Sequence, residues 1–203
     1  DFYVSGTGAD LEREPQNYMA VDTPGGERIL AYGRDPYFDG WPDTLQLNYG
    51  NPALQEAMRG ELLKAAELCD GLRCDMAMLV LPEVFKRTWG IESEPFWPEA
   101  IRRVRAEKPG FVFMAEVYWD MEWTLQQQDF DYTYDKRLYD RLLGDNVTLI
   151  REHLRLASMD YQRHLVRFVE NHDEERALAA FGPQRSQAAA TVALTLPGMR
   201  LVH

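Results

Sequence analysis

From residue 51 onward, stretches with the spacing of helices alternate with short apolar stretches typical of strands, and no run of consecutive hairpins interrupts them. The predicted strands, in chain order, are DGLRCDMAM, FVFMAEV, FDYTYD, VRFVEN and the beginning of MRLVH. The predicted helices are PALQEAMRGELLKAAEL, PEAIRRVRAEKPG, DMEWTLQQQ, KRLYDRLL, VTLIREHLRLASMDYQRHL and RSQAAATVALTL. Because parallel strands need crossover connections, this order predicts βαβ units and the parallel sheet of an α/β protein.

The first 50 residues lack this periodicity. Glycine and proline interrupt them repeatedly, as in SGTGAD, DTPGGERI and GRDPYFDGWPDT. We therefore predict a long irregular excursion with one hairpin around Pro24–Gly26. Loops of this length inside a compact domain are usually functional.

Composition narrows the class of partner. The net charge of −11 and the isoelectric point of about 4.8 argue against nucleic acid or an anionic membrane surface, since both are negatively charged. No apolar stretch approaches the roughly 20 residues needed to cross a bilayer. These properties suit a neutral ligand.

The two cysteines, Cys69 and Cys74, fall in one strand-like stretch. At about 3.3 Å per residue they lie on the order of 16 Å apart, which is too far for a disulfide between them. We expect them to act as small buried apolar side chains. With no disulfide predicted, the cytoplasm is the favoured compartment.

Three acidic residues, Asp75, Glu116 and Asp173, each follow a predicted strand. Because the carboxyl ends of parallel strands meet at one rim, these side chains are expected to converge there, where parallel barrels carry their active sites. Each acid also has an ordinary structural interpretation. Asp75 and Asp173 could cap helices, and Glu116 could be a solvated loop residue. Their coincidence at one rim favours an active site.

The neighbouring residues indicate what the acids could do. Arg73 lies two residues before Asp75, so both side chains are expected on one face of the strand, where the guanidinium keeps the carboxylate ionised. Glu116 lies among apolar residues, which raise a carboxyl pKa and suit a general acid. One ionised and one protonated carboxyl group form the pair that cleaves glycosidic bonds with retention. His172 and Asp173 are left to bind sugar hydroxyls.

These segments resemble motifs of the α-amylase family of glycoside hydrolases. GLRCD resembles the family's fourth-strand motif, FMAEVYW the fifth-strand motif and FVENHD the seventh-strand motif, in the same order, and GWPDTLQLNYGNP resembles the segment leading into the helix before strand four. The resemblance implies a parallel (β/α)8 TIM-type barrel that is incomplete, with about strands 4 to 8 and the excursion after strand 3. Residues 1–50 would form the excursion and residues 51–203 the latter part of the catalytic barrel.

By the same resemblance, Asp75 is the nucleophile, Glu116 the general acid/base and Asp173 the third carboxylate, while Arg73 and His172 complete the subsite around the cleaved sugar. The implied activity is retaining hydrolysis of α-glucosidic bonds in α-glucans or maltooligosaccharides. A glucan transferase or a disaccharide isomerase would use the same residues, so both remain open. A non-catalytic carbohydrate-binding relative is disfavoured, because all three acids are present.

The chain also departs from the family pattern. Met76–Met78 occupy the stretch where the family often has Lys or His on the acceptor side, which leaves acceptor preference open. The third-strand motif is absent; family members often bind calcium near it, so the resemblance implies no required cofactor and assigns calcium to no residue here. We further expect an incomplete barrel expressed alone to aggregate or to be inactive, because its sheet edges would be unpaired.

Overall fold

The computed structural model describes residues 1–144 and 146–203, which divide into two compact units. Unit one consists of Asp1–Leu68 and Leu79–Pro109, and unit two of Cys69–Met78 and Gly110–His203. None of the helices in the described part of the chain combines the length and the apolar character needed to span a membrane. The sequence predicts a boundary at residue 50 between an excursion and the barrel. These two units do not test that boundary, which stays a prediction.

The structure contains the following elements over its described residues. The strands are β1 Tyr18–Thr23, β2 Gly26–Gly33, β3 Trp41–Leu45, β4 Gly71–Cys74, β5 Val112–Ala115, β6 Tyr132–Tyr134, β7 Leu165–Arg167 and β8 Met199–Arg200. The α-helices are α1 Gly8–Arg13, α2 Pro52–Ala66, α3 Pro82–Trp89, α4 Trp97–Glu107, α5 Glu122–Gln126, α6 Lys136–Leu143, α7 Val147–Leu156, α8 Met159–Arg163, α9 Ala177–Phe181 and α10 Pro183–Thr195, and a 3-10 helix spans Ala77–Val80.

Unit one contains an antiparallel sheet in the order β1–β2–β3 that the sequence patterns do not predict. At the predicted hairpin, Thr23 pairs with Gly26, and Gly26 has the positive φ of 106° that suits a tight turn. The predicted hairpin is therefore confirmed in β1 and β2, and the expectation of irregular structure is wrong for β3. Most residues of β1 and β3 are half-buried or exposed, so no clear apolar alternation develops in their sequences.

Unit two is built on the parallel sheet that the alternation predicts. Its five strands lie in the order β4–β5–β6–β7–β8, and every neighbouring pair is parallel. Helix α5 connects β5 to β6, helices α6, α7 and α8 connect β6 to β7, and helices α9 and α10 connect β7 to β8. The register aligns Cys74 with Ala115 at the ends of β4 and β5, so the residues that follow both strands start at the same rim.

The largest difference from the predicted helices is a break after Leu156. The stretch VTLIREHLRLASMDYQRHL predicts one helix, but Ala157 is extended, with ψ of 130°, and ends α7. The Ser158 hydroxyl oxygen then caps α8 by accepting a hydrogen bond from the Tyr161 N–H at 3.2 Å. Helices α1, α3 and α9 were also not predicted; each has eight residues or fewer, which is too short for a clear helical period.

The core of unit two is rich in aromatic side chains. Tyr139 stacks on Phe168, with ring centroids 5.6 Å apart, and meets Phe181 edge-on at 5.9 Å. Tyr134 and Val166, from the neighbouring strands β6 and β7, are buried in the same cluster. The predicted apolar faces of the sheet and of the helices α6, α9 and α10 therefore meet in one core.

Unit two also contains a buried charged network. Arg167, on β7, has no exposed surface and donates a hydrogen bond to the Asp135 carboxylate, which is itself 2% exposed. Nε2 of His153 lies 3.1 Å from Oδ1 of Asp135. Arg167 Nε also donates to the carbonyl oxygen of Pro197 at 3.1 Å, and its Nη2 donates to Gln162 Oε1 at 3.3 Å. Buried charges are tolerated only when they are paired and hydrogen-bonded, so this network is a main determinant of how these elements pack.

Candidate active site

Strand β4 delivers Arg73 and Asp75 to the carboxyl rim of the sheet. Their side chains lie on one face, as strand alternation predicts, and Arg73 Nη1 donates a hydrogen bond to Asp75 Oδ1. The Asp75 side chain is 76% exposed, so a substrate can reach it. Met76 follows with φ of 41°, a left-handed conformation that non-glycine residues adopt rarely.

Strand β5 delivers Glu116, which is buried, to the same rim. Backbone pairing continues past the strand ends, because the Glu116 N–H donates to the Cys74 carbonyl and the Ala77 N–H donates to the Glu116 carbonyl, both at 3.0 Å. The Glu116 side chain accepts two further hydrogen bonds. The Met76 N–H donates to Oε2 at 2.8 Å, and the Tyr118 hydroxyl donates to Oε1 at 3.0 Å.

Burial raises the pKa of Glu116 above its ordinary value, and the neighbouring charge of Asp75 raises it further. The hydrogen bond from the Met76 N–H, the charge of Arg73 and the Tyr118 hydroxyl lower the same pKa, but they do not outweigh the loss of solvation. The expected direction of the pKa shift is therefore confirmed.

Asp173 reaches the rim from the loop after β7. Its Oδ2 lies 3.7 Å from Arg73 Nη2 and 3.1 Å from His172 Nε2. Asn171 shapes this loop, because its Oδ1 accepts the N–H groups of Asp173 and Glu174, each at 2.9 Å. The interpretation of Asp173 as a helix cap is wrong, since α9 begins four residues later and it is the Glu170 carboxylate that accepts the N–H of its first residue, Ala177, at 2.5 Å.

One guanidinium therefore contacts all three predicted acids. Arg73 Nη1 bonds to Asp75, while Nη2 lies 3.0 Å from Glu116 Oε1 and 3.7 Å from Asp173 Oδ2. The contacts of Nη2 are ion pairs without hydrogen-bond alignment, and within the described residues Nη2 has no hydrogen-bond partner. Burial lowers the pKa of Arg73, but its hydrogen bond with Tyr134 and the adjacent carboxylates raise it above the ordinary value, so the group stays charged.

Sequence reasoning missed several groups that hold this cluster. The Tyr134 hydroxyl lies 3.4 Å from Arg73 Nε, and the Tyr134 ring centroid lies 5.7 Å from the guanidinium carbon. Tyr134 is the last residue of β6, and the acids likewise lie at or after the ends of their strands. Its position in the sequence therefore predicts that it lies at the same rim. The hydrogen bond from the Met76 N–H could not be predicted from the sequence, because a backbone donor does not depend on the identity of the side chain.

The cluster brings together Arg73, Asp75, Glu116, His172 and Asp173, which are all five predicted site residues. It provides an accessible carboxylate that pairs with Arg73, beside a buried carboxyl group with a raised pKa. These two groups can act as a nucleophile and as a proton donor. Across residues 1–144 and 146–203, no three His, Cys, Asp or Glu side chains are grouped so that they could hold a metal ion.

Comparison with known proteins gives the following relatives. No protein-family model matches the chain. The chain is 25% identical over 176 residues to alpha-amylase MalA from Haloarcula japonica, which covers 83% of this chain and 24% of that protein. The alpha-amylase from H. orenii superimposes with a TM-score of 0.68 at 22% identity, over 99% of this chain and 42% of that chain. A cyclic alpha-maltosyl-(1→6)-maltose hydrolase from Arthrobacter globiformis, in complex with maltose, superimposes with a TM-score of 0.67 at 18% identity. The match covers 96% of this chain and 45% of that chain.

The chain spans about a quarter of the length of the curated relative and less than half of these solved chains. The structural similarity shows that the chain shares part of the fold of these proteins, which is a (β/α)8 barrel. The five-stranded parallel sheet of unit two is consistent with part of such a barrel.

Proposed function

Starting from the confirmed resemblance to the α-amylase family, we propose that this chain forms part of a retaining glycoside hydrolase that cleaves α-glucosidic bonds in α-glucans or maltooligosaccharides. The observation that carries the proposal is the contact of Arg73 with the carboxylates of Asp75, Glu116 and Asp173. A structural relative that is a hydrolase in complex with maltose supports this class of substrate.

In the first step, an Asp75 carboxylate oxygen attacks the anomeric carbon of the bound glucosyl ring. The bond from that carbon to the leaving oxygen breaks, and Glu116 donates its proton to the leaving oxygen. Asp75 suits the attack because it is accessible and pairs with the guanidinium of Arg73. Glu116 suits proton donation because burial raises its pKa toward neutral pH.

In the second step, Glu116 takes a proton from water, whose oxygen attacks the anomeric carbon, and the ester bond to Asp75 breaks. Two inverting displacements give net retention. Contact of both carboxyl groups with one guanidinium supports their acting on a single bound sugar ring. Asp173 and His172 are 53% and 55% exposed, which leaves them available to bind the ring hydroxyls.

We further propose that β4 to β8 are strands 4 to 8 of a (β/α)8 barrel and that residues 1–50 form the excursion after strand 3. The parallel order of the five strands supports this numbering. So do the positions of the acids, because Asp75 follows β4, Glu116 follows β5 and Asp173 follows β7.

The anomeric configuration of the first product tests the proposal. Proton NMR during hydrolysis of maltotetraose by the full-length protein is expected to show new reducing ends in the α configuration before mutarotation. Appearance of the β anomer first would contradict the retaining mechanism. Chromatography of the same mixture would reveal transfer to a sugar acceptor, because transfer gives products longer than the substrate.

Replacement of Tyr118 by phenylalanine is expected to move the basic limb of the kcat/KM pH profile to higher pH. The Tyr118 hydroxyl donates to Glu116 and lowers the pKa of that carboxyl group, so its removal raises the pKa further and Glu116 remains a proton donor at higher pH. We expect kcat at the optimum to fall by about twofold to tenfold. The matched control is Tyr37→Phe, which removes an exposed hydroxyl in unit one. A basic limb that stays in place or moves to lower pH would show that Tyr118 does not act on Glu116.

A further inference from the structure

A cavity separate from the cluster around Arg73 lies in unit two, among helices α5, α6, α7 and α8. Its volume is about 560 Å³, within the range of small-molecule sites. None of its described lining residues belongs to the cluster around Arg73. The proposed catalytic mechanism therefore does not account for this cavity.

Two buried polar side chains line this cavity. Glu122 is 3% exposed and His153 is 6% exposed. His153 uses Nε2 to contact Asp135, and within the described residues its Nδ1 has no partner. Burial, with the charges of Arg141 and Arg137, lowers the pKa of His153 to about 4, so at neutral pH the imidazole is uncharged and Nδ1 can accept a hydrogen bond.

Two aromatic side chains complete the lining. Trp123 is 52% exposed, and its ring centroid lies 6.3 Å from that of Tyr161 at an interplanar angle of 54°. Across the described part of the chain, the Tyr161 hydroxyl makes no hydrogen bond to protein. An exposed indole face beside unused polar groups suits a ligand that is apolar on its faces and polar at its edges.

The charges of the lining argue against an ionic ligand. Arg137 pairs with Asp120, and Arg141 donates to the Leu149 carbonyl at 3.0 Å, so both cations already have partners. Glu122 and the exposed Glu152 add further negative charge, which opposes an anion. The described residues also lack a cluster that could hold a metal ion.

We propose that this cavity is a second carbohydrate site, which binds one neutral sugar ring against Trp123. The ring hydroxyls are held by hydrogen bonds in this site. The Glu122 carboxyl group and the His153 imidazole accept them, and the Tyr161 phenol donates one. The choice of a glucosyl unit as the ring rests on the proposed function. Such a site would hold a glucan chain at a second point and raise affinity for long substrates.

Isothermal titration of maltotriose into the full-length protein tests the site. The titration uses an Asp75→Asn background, so that no sugar is consumed. Trp123→Ala is expected to reduce the number of bound maltotriose molecules by one per chain, or to weaken that binding about tenfold, since an aromatic face contributes on the order of 1–1.5 kcal/mol. Tyr161→Phe should weaken the same binding less. In the otherwise unmodified protein, Trp123→Ala should leave kcat on maltotriose unchanged and raise KM for a long glucan.

Phe38→Ala is the matched control, because Phe38 is an exposed aromatic residue of unit one, 71% exposed. It should leave the titration unchanged. Unaltered stoichiometry and affinity in Trp123→Ala would overturn the inference even if the protein hydrolyses glucans with retention. Loss of one sugar from Trp123→Ala in a protein that shows no hydrolysis would uphold the second site and contradict only the proposed function.

Discussion

Replacement of Asp75 by asparagine is expected to lower kcat on maltooligosaccharides by about four to six orders of magnitude, as loss of a covalent nucleophile does. The substitution keeps the size of the side chain and removes the negative charge that Arg73 holds at the rim. An amide cannot form the glycosyl ester, so the first displacement fails. The measurement is release of reducing sugar under substrate saturation, with KM determined in parallel.

The matched control is Asp160→Asn, which changes an aspartate of α8 whose side chain is 88% exposed. This variant should turn over substrate at the parental rate. Unchanged turnover in Asp75→Asn would remove the assigned nucleophile and favour a non-catalytic carbohydrate-binding protein. Melting temperatures of both variants distinguish loss of chemistry from loss of structure.

Replacement of Arg167 by methionine is expected to lower the free energy of unfolding by about 3–5 kcal/mol, the cost of leaving a buried charge unpaired. Arg167 has no exposed surface, and its guanidinium compensates the buried carboxylate of Asp135. His153 also contacts this carboxylate, but burial lowers the pKa of the imidazole, which opposes its protonation in place of the lost charge. Urea denaturation followed by circular dichroism measures the change.

Two further variants isolate the charge effect. Arg163→Met removes an arginine whose side chain is 67% exposed, and it should change stability by less than about 0.5 kcal/mol. Combining Asp135→Leu with Arg167→Met removes both buried charges, and it should recover most of the stability lost in the single variant. A decrease of less than about 1 kcal/mol in the free energy of unfolding of Arg167→Met would contradict the inference that the pair of Arg167 and Asp135 is fully desolvated.

Much of the candidate site could be predicted because its side chains lie close to strand ends in the sequence. Alternating strands and helices identified the parallel sheet, and the spacing of Arg73 and Asp75 predicted that both side chains share one face. Glu116 was predicted to have a raised pKa from its apolar neighbours alone, and the structure agrees in direction. In each case the interactions responsible connect residues that are near in sequence or on adjacent strands.

The remaining features depend on residues that only the fold brings together. Tyr134 contacts Arg73 across 61 positions of sequence. Its place at the end of a strand predicts that it lies at the rim, but not that it contacts Arg73. The sequence predicts no role for His153, because it lies on a helical pattern without metal-ligand spacing. It contacts Asp135, 18 positions earlier, and lines a cavity with Ala157, where α7 ends. Helical periodicity predicts neither the contact nor the break at Ala157.

The continued backbone pairing beyond β4 and β5 has a mechanical consequence for the candidate site. The segment that carries Asp75 also holds the main chain of Glu116 through Cys74 and Ala77, and its side chain through the Met76 N–H. We therefore expect the main chains that carry Asp75 and Glu116 to keep a fixed position relative to each other. Under the proposed function, this pairing would tie the positions of the two carboxyl groups to the sheet and leave the surrounding loops free to differ.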